Sequence, residues 1–574
     1  MTKTAARRNQ QTTDQNASTT PFDGSTVPDN LTSDQIKALR LFKKGYTLQK
    51  RGQIREAAKI HLKGLKIDKD NVFGMKLLAD ALATMGRRQL AISTYEHALE
   101  LAPNDPEIHF GLGSLATHMN MFEVAAQFFQ IYIQHRPNDP AGYTNLADVW
   151  RKQEQFDQAI TMLQTVIPQH PEFSDLWNSL GAVVYDRDGQ DAALPFYEEA
   201  LRLDPNSSKA LNNLARCMEL TGNFERGIEL CHQALEADKL AVEPQFVLSH
   251  CELAVGRLED GWRHYAIRHH PSRPGATFYS HGLPEWQGED ISDKTILVCP
   301  EQGIGDEILF ASVFGELTER AGQCLIGCDN RLIPLFQRSF PKAKVSFYVD
   351  RTVDAHRLRI IPHFQKEDGP HADVAIAAGD LMKYFRPTQE SFPKRAGFLT
   401  PDPDRIAFWR ARLDAIGSGP KVGICWRSGF RNNARNLHYT SLDQWGPIFT
   451  VSGVHFVNLQ YDDCKAELDD ARSRFGVSVQ VWDDIDLRNN LDDTAALTAA
   501  LDLVISPATA VAMTAIGVGT ELWSILRVLP YWAFGHKDKT PLHPASRLFP
   551  WPDGGDASDA IASLGAALRE RAQG

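Results

Sequence analysis

At 574 residues the chain is too long for a single hydrophobic core, and the usual domain size implies roughly three or four folded parts. It is 43% hydrophobic and 23% charged, hence globular, and a formal net charge of -11 excludes the basic field that nucleic acid or an anionic lipid surface would require. The eight cysteines form no CxxC pair and no zinc spacing, the pattern of reduced core thiols in a cytoplasmic protein. No apolar run reaches the length of a membrane helix, and the N-terminus has no apolar signal-like stretch. Residues 1–32, rich in Thr, Gln, Asn, Asp and Ser, are predicted to be a disordered polar tail.

From residue 33 the chain repeats itself. Pro103, Pro137, Pro171 and Pro205 stand 34 residues apart, and Asp68 and Asp238 extend the frame on both sides. Small residues recur in phase at Gly45, Ala79, Gly113, Ala147, Gly181, Ala215 and Ser249. A second small series runs through Ala57, Ala91, Ala125, Ala159, Ala193, Gly227 and Gly261. Small side chains at these two places let the two helices of a unit cross closely, with Tyr95, Phe129, Tyr197 and Tyr265 filling the space beside them. This is the tetratricopeptide pattern, and seven units over residues 33–275 predict an all-α solenoid whose concave surface grips a peptide or protein.

Residues 276–293 change to Pro, Gly, Ser and aromatic residues and are predicted to be an ordered connector. Beyond them the helical period gives way to apolar runs typical of buried parallel strands. Strands are predicted at 296–299, 324–328, 345–349 and 373–377, and again at 421–426, 455–460, 477–482, 502–506 and 521–525. A linker with one helix, 401–420, separates two doubly wound, Rossmann-like halves, 294–400 and 421–574, which face each other across a cleft. A last helix is expected at about 557–571. At the end of the first strand, Pro300 to Ser312 reads PEQGIGDEILFAS: a strand, a Gly303-x-Gly305 turn and a helix beginning at Asp306 and Glu307. The third glycine and the later acid of a dinucleotide fingerprint are missing, so the turn by itself does not define a nucleotide cradle.

Several stretches together carry a resemblance: LPEWQGE (283–289), EQGIGDEILFA (301–311), CWRSGFRNNARNLHYTSL (425–442), VNLQYDD (457–463) and DDTAALTAALDLVISPATAVA (492–512). They resemble bacterial proteins that join a tetratricopeptide solenoid to a GT-B glycosyltransferase module. That module is itself similar to lipopolysaccharide heptosyltransferases and, more distantly, to O-GlcNAc transferase; some similar chains resemble flagellin-modifying transferases. The resemblance implies an α/β GT-B module of two Rossmann-like domains, acceptor-side first and donor-side second. It implies a nucleotide-sugar co-substrate, no resident cofactor and no metal.

Asp306 matches the acid that follows the glycine in the heptosyltransferase loop, which makes it the candidate base for an acceptor hydroxyl, with Glu301 as the second candidate. Gly303 and Gly305 shape that loop. On the donor side, Trp426, Arg427, Ser428, Gly429 and Arg435 surround a turn where forked guanidinium groups suit phosphate oxygens. Arg431 is read as a surface residue. Thr509 and Ala510 open a helix of small residues whose first N–H groups suit an anion, and Gln460 is a candidate contact to base or ribose. Asp493 is read as a helix cap. The chain departs from the heptosyltransferase pattern at Ala508, Thr509, Ala510 and Met513, where an acid and a histidine are lost. Asn145 and Asn213 occupy the position of the asparagine ladder in the O-GlcNAc transferase solenoid and are the candidate acceptor contacts.

The function expected is transfer of a sugar from a nucleotide-sugar donor to hydroxyls of an acceptor protein held by the solenoid, flagellin being a candidate. Two alternatives remain open at this point. One is an adaptor or scaffold whose GT-B half is catalytically impaired; the other is a transferase for a lipid or saccharide acceptor.

Overall fold

A computed structural model of the chain describes residues 31–273, 275–353, 356–365, 371–429, 438–551 and 555–573. Of the predicted polar tail, residues 1–30 lie outside the described residues. The seven predicted repeats are fourteen helices in seven pairs, from Ser33–Lys50 with Ile54–Ile67 to Glu243–Ala254 with Leu258–Tyr265. Their starts have local causes. Asp105 and Asp139 accept backbone N–H groups at the N-caps of two successive first helices, and Pro106 and Pro140 follow at a position that needs no donor. The small-residue series has a packing cause: a Cβ on Gly113 would stand 2.9 Å from the Phe129 ring, and one on Gly181 would stand 2.7 Å from the Tyr197 ring.

The chain divides into two compact units, the first ending at Met162 and the second beginning at Leu163. Within the second unit the last repeat shares one hydrophobic core with the α/β region. Leu253, Leu258, Trp262 and Tyr265 are buried together with Ile296, Phe310 and Phe534. The Trp262 indole donates to the Arg386 carbonyl at 3.0 Å. Gly256 and Gly535, with φ of 85° and 84°, meet backbone to backbone: a Cβ on Gly535 would lie 2.9 Å from the Gly256 Cα. Only glycine combines that conformation with that approach.

The α/β region has two parallel sheets flanked by helices. The first runs in the order Ala343–Phe347, Gln323–Cys328, Thr295–Cys299, Val374–Ala377. The second runs Val479–Gln480, His455–Asn458, Lys421–Ile424, Leu503–Ile505, Leu522–Leu526, Arg547–Pro550. Numbered along the chain within each sheet, these orders are 3-2-1-4 and 3-2-1-4-5-6, the doubly wound topology. Each reverses direction beside its first strand, where ligands of open sheets sit at the carboxyl ends.

All nine predicted strands are present, with ends displaced by a few residues. Four others had not been foreseen. Thr277–Tyr279, His356–Ile360 and Val349–Val353 form a small separate sheet, and Arg547–Pro550 completes the second large one. Thr277–Tyr279 is three residues inside the connector, and every residue of Val349–Val353 is exposed, so neither shows an apolar face to read. The linker helix is Pro403–Asp414 and the last helix is Ser558–Gln573. All eight cysteines are buried and unbridged. Among the described residues no helix is long and apolar enough to cross a membrane.

Candidate functional site

The chain leaves the first sheet at Cys299, turns through Pro300 to Gly303 and enters the helix Ile304–Phe310. Glu301 is buried in this turn. Its Oε1 accepts the Gly379 N–H at 2.7 Å and the Arg268 Nη2 at 2.7 Å, so it ties the ends of two adjacent strands together. Arg268, also fully buried, comes from the end of the last repeat. It donates to Asp380 at 2.5 Å and to the Tyr265 carbonyl at 3.2 Å, and lies 4.4 Å over the Tyr265 ring. From the other side Arg359, on the small sheet, donates to the carbonyls of Glu301 and Gln302. Two arginines from distant segments thus clamp the glycine turn, and the Glu301 carboxylate is spent in holding it.

Asp306 is half-buried. Burial, and next the charge of Glu301, push its carboxyl up to about 6, against opposing pulls from His250, Arg268 and Arg359. The buried hydroxyls of Tyr265 and Tyr531 feel its charge. Glu307 is spent elsewhere, accepting the Asp329 N–H at 2.8 Å and the Tyr348 hydroxyl at 3.1 Å, with burial pushing it up to about 8. Asp306 is therefore the carboxyl of this turn whose neighbours perturb its titration toward neutral pH while leaving it partly open.

The helix that carries Asp306 packs on the donor-side turn predicted from sequence. A Cβ on Gly305 would stand 3.6 Å from the Ala510 Cα. Thr509 is the N-cap of Ala510–Val518 and makes no side-chain cap bond; its hydroxyl lies 3.0 Å from that of Ser506. The fold therefore brings Gly305, between Gly303 and Asp306 on the same turn, against Ala510 at the start of that helix.

Arg427 is placed differently from a ready phosphate ligand. It is buried at the end of the strand Lys421–Ile424, donating from Nε to Glu467 at 3.0 Å, with further bonds to Glu467, Asp462 and the Asp463 carbonyl. A phosphate would have to compete with two carboxylates for it. Trp426 and Gln460 belong to the same scaffold. The Trp426 indole donates to Glu467 at 3.1 Å, and Gln460 accepts the Trp426 N–H at 3.3 Å while donating to Asp462 at 2.7 Å. The Gly429 N–H donates to the Tyr461 hydroxyl at 3.0 Å, and Ser428 lies between Arg427 and Gly429. Arg431 and Arg435 lie outside the described residues.

Gln460 opens onto a cavity of about 600 Å³ at the carboxyl ends of the strands His455–Asn458 and Val479–Gln480. Asp493 is not a cap: Asn490 is, and Asp493 receives Arg405 at 2.8 Å and the Trp409 indole at 2.7 Å. Asn145 donates to the Ala141 carbonyl one turn back, at 2.8 Å. Asn213 donates to Asn178 of the preceding repeat at 2.9 Å. Among the described residues no group of three or more His, Cys, Asp or Glu is arranged to hold a metal ion.

Sequence reasoning missed Arg268, Arg359, His250 and Tyr531. Their partners lie far along the chain, so no local spacing marks them. The one available signal was an arginine in a repeat position otherwise facing the core.

Comparison with known proteins agrees on the class of the N-terminal region. Residues 76–140 and 144–208 match one tetratricopeptide repeat family model and residues 191–243 match another, so this region is built of tetratricopeptide repeats. The chain is similar to Protein FlbA of Caulobacter vibrioides, with 35% identity over 356 residues. That match spans 61% of this chain and 59% of the relative's length. Solved structures that match part of the chain include YrrB, titled a TPR protein with an unusual peptide-binding site. YrrB has a TM-score of 0.24 and 19% identity, covering 33% of this chain and 96% of that one. A tetratricopeptide protein of Parabacteroides merdae has a TM-score of 0.35 and 14% identity, covering 37% and 83%. PilF of Pseudomonas aeruginosa has a TM-score of 0.31 and 16% identity, covering 37% and 97%.

Proposed function

We propose that the chain is a protein glycosyltransferase of GT-B type, moving a sugar from a nucleotide-sugar donor to hydroxyls of an acceptor protein gripped by its repeats. The observation that carries this reading is the packing of Gly305, the residue before Asp306, on the start of the helix Ala510–Val518. A carboxyl pushed up to about 6 is close to the value that suits a base near neutral pH. The first N–H groups of the facing helix, with the positive end of its dipole, suit the phosphate that leaves with the nucleotide. In the transfer the acceptor oxygen attacks the anomeric carbon, the carbon–oxygen bond to phosphate breaks, the electron pair stays on phosphate, and Asp306 takes the hydroxyl proton. Thr509 and Ala510 anchor the phosphate in this scheme. Arg427, paired to Glu467 and Asp462, keeps the neighbouring turn in shape.

The repeats are the acceptor grip and flagellin is the candidate acceptor. Comparing the glycan masses of cellular proteins with and without the chain tests this: loss of a sugar mass from one protein supports it, and unchanged masses throughout overturn it. The adaptor reading draws on one observation, the commitment of Arg427 to two carboxylates beside a turn whose acid and histidine are replaced by Ala508 and Met513.

A further inference from the structure

A cavity of about 280 Å³ opens between the last repeats and the second sheet. His250 and Glu219, from two successive first helices of the repeats, form one wall. Ala508, Arg527 and Tyr531 form the other, with His438 and Tyr439 at its edge. His250 is held from three directions. Its Nδ1 bonds to Glu219 Oε1 at 2.8 Å, its ring stacks on Tyr531 at 5.1 Å and 16°, and Phe246 packs at 4.3 Å. A carboxylate only accepts, so Nδ1 carries the proton of the Glu219 bond, and that bond fixes the orientation of the ring. Asp306 is close enough to feel the charge of this ring.

We propose that this cavity receives the sugar ring of the nucleotide-sugar donor, and that His250, oriented by Glu219, is a substrate contact supplied by the helical repeats. The inference rests on the transferase reading. It follows from placement: Ala508, in the lining, adjoins the turn assigned to the phosphate, so a group bonded to that phosphate reaches the cavity. The size is at the small end of ligand pockets, suited to one ring and too small for a whole nucleotide sugar. The lining suits a ring with alternating apolar and hydroxyl faces. Tyr531 offers an aromatic surface, and Arg527 and His250 bring polar groups to the same lining. The repeats would then do more than recruit an acceptor, because their last two units would complete the donor site.

The test is calorimetry on the full chain with UDP, GDP and CMP, each alone and as its sugar conjugate. One conjugate is expected to bind at least tenfold more tightly than its nucleotide. His250→Gln is expected to erase that gap while leaving affinity for the bare nucleotide within about twofold. Glu219→Gln, which keeps the shape and removes the orienting charge, is expected to narrow it, and serves if the histidine variant fails to fold. A gap that survives both substitutions, or a wild-type chain that binds nucleotide and conjugate equally, overturns the sugar site and leaves the transferase reading standing. Absence of binding by any nucleotide or conjugate overturns the transferase reading and the sugar site with it.

Discussion

The turn after Cys299 and the turn after Ile424 follow the first strand of two sheets that share the order 3-2-1-4, yet they distribute charge in opposite ways. The first carries carboxylates and takes its cations from far away, Arg268 from the last repeat and Arg359 from the small sheet. The second carries its own cation, Arg427, and takes its carboxylates from 35 and 40 residues downstream. In the first, one carboxyl remains partly open, and burial together with the charge of Glu301 raises its affinity for a proton. In the second, the guanidinium is paired to the carboxylates of Glu467 and Asp462. A shared strand order supplies equivalent positions, and the segments packed around each turn decide which chemistry it can offer.

The sharpest way to break this contrast is to remove the one open carboxyl. Asp306→Asn is expected to lower sugar transfer by roughly 10² to 10⁴, the usual worth of a positioned base, with nucleotide affinity unchanged. Steady-state transfer rates and calorimetry read the two quantities separately. A rate within a few-fold of wild type would remove Asp306 from the role.

Next in size is the clamp from the repeats. Arg268→Met leaves Glu301 and Asp380 facing each other, with Glu301 fully buried and unpaired, and breaking a buried ion pair from one side costs about 3–5 kcal/mol. Urea unfolding of the full chain should show that loss. It also bears on the boundary predicted at residue 275. Because Trp262 and Tyr265 share the α/β core, cutting there exposes them, and residues 163–275 should lose stability more than an ordinary solenoid end.

A smaller effect is expected on the opposite turn. Arg427→Ala should destabilise the chain by about 1–2 kcal/mol, since Glu467 is partly exposed and regains water when its partner leaves. Nucleotide affinity should change by less than threefold. A tenfold loss of affinity with stability intact would show instead that the guanidinium leaves its carboxylates for a phosphate.

The sequence made some of this contrast legible and hid the rest. Strands such as Leu297 to Cys299 and Leu503 to Ile505 announce themselves because burial on both faces demands continuous apolar runs. The repeat phase is equally open, because small residues such as Gly113 and Gly181 recur where an aromatic ring of the same unit leaves no room for a larger side chain. Asp306 and Thr509 could be singled out because strand ends in doubly wound sheets are where ligands sit. Their environment could not. Whether an arginine beside a glycine is available depends on carboxylates such as Asp462 and Glu467, and whether a carboxylate titrates normally depends on Glu301, Arg268 and Arg359, all placed by tertiary packing. Asp493 shows the same limit: its position suggested a cap, and its burial against Arg405 and Trp409 gave it another task.

The finest test of the contrast is pH. Asp306 titrates near 6 in the folded chain against a usual value of 3.8, so the folded state keeps the proton over a range where the unfolded chain has released it. Folding then takes up a proton between those values, and stability from this group falls as pH rises. The contribution is complete below about pH 4 and is lost as pH passes through about 6. Asp306→Asn abolishes the ionisation, so relative to wild type the variant should be more stable at pH 8 and gain little at pH 4.5. Thermal unfolding at the two pH values reads the difference. Transfer must run in the opposite sense, because the ionised form is the base: its rate in the wild type should climb through an apparent pKa near 6. A variant whose stability difference does not change between pH 4.5 and 8 would mean that the carboxyl titrates normally. The asymmetry between the two turns would then be one of position alone, without the electrostatic difference drawn between them.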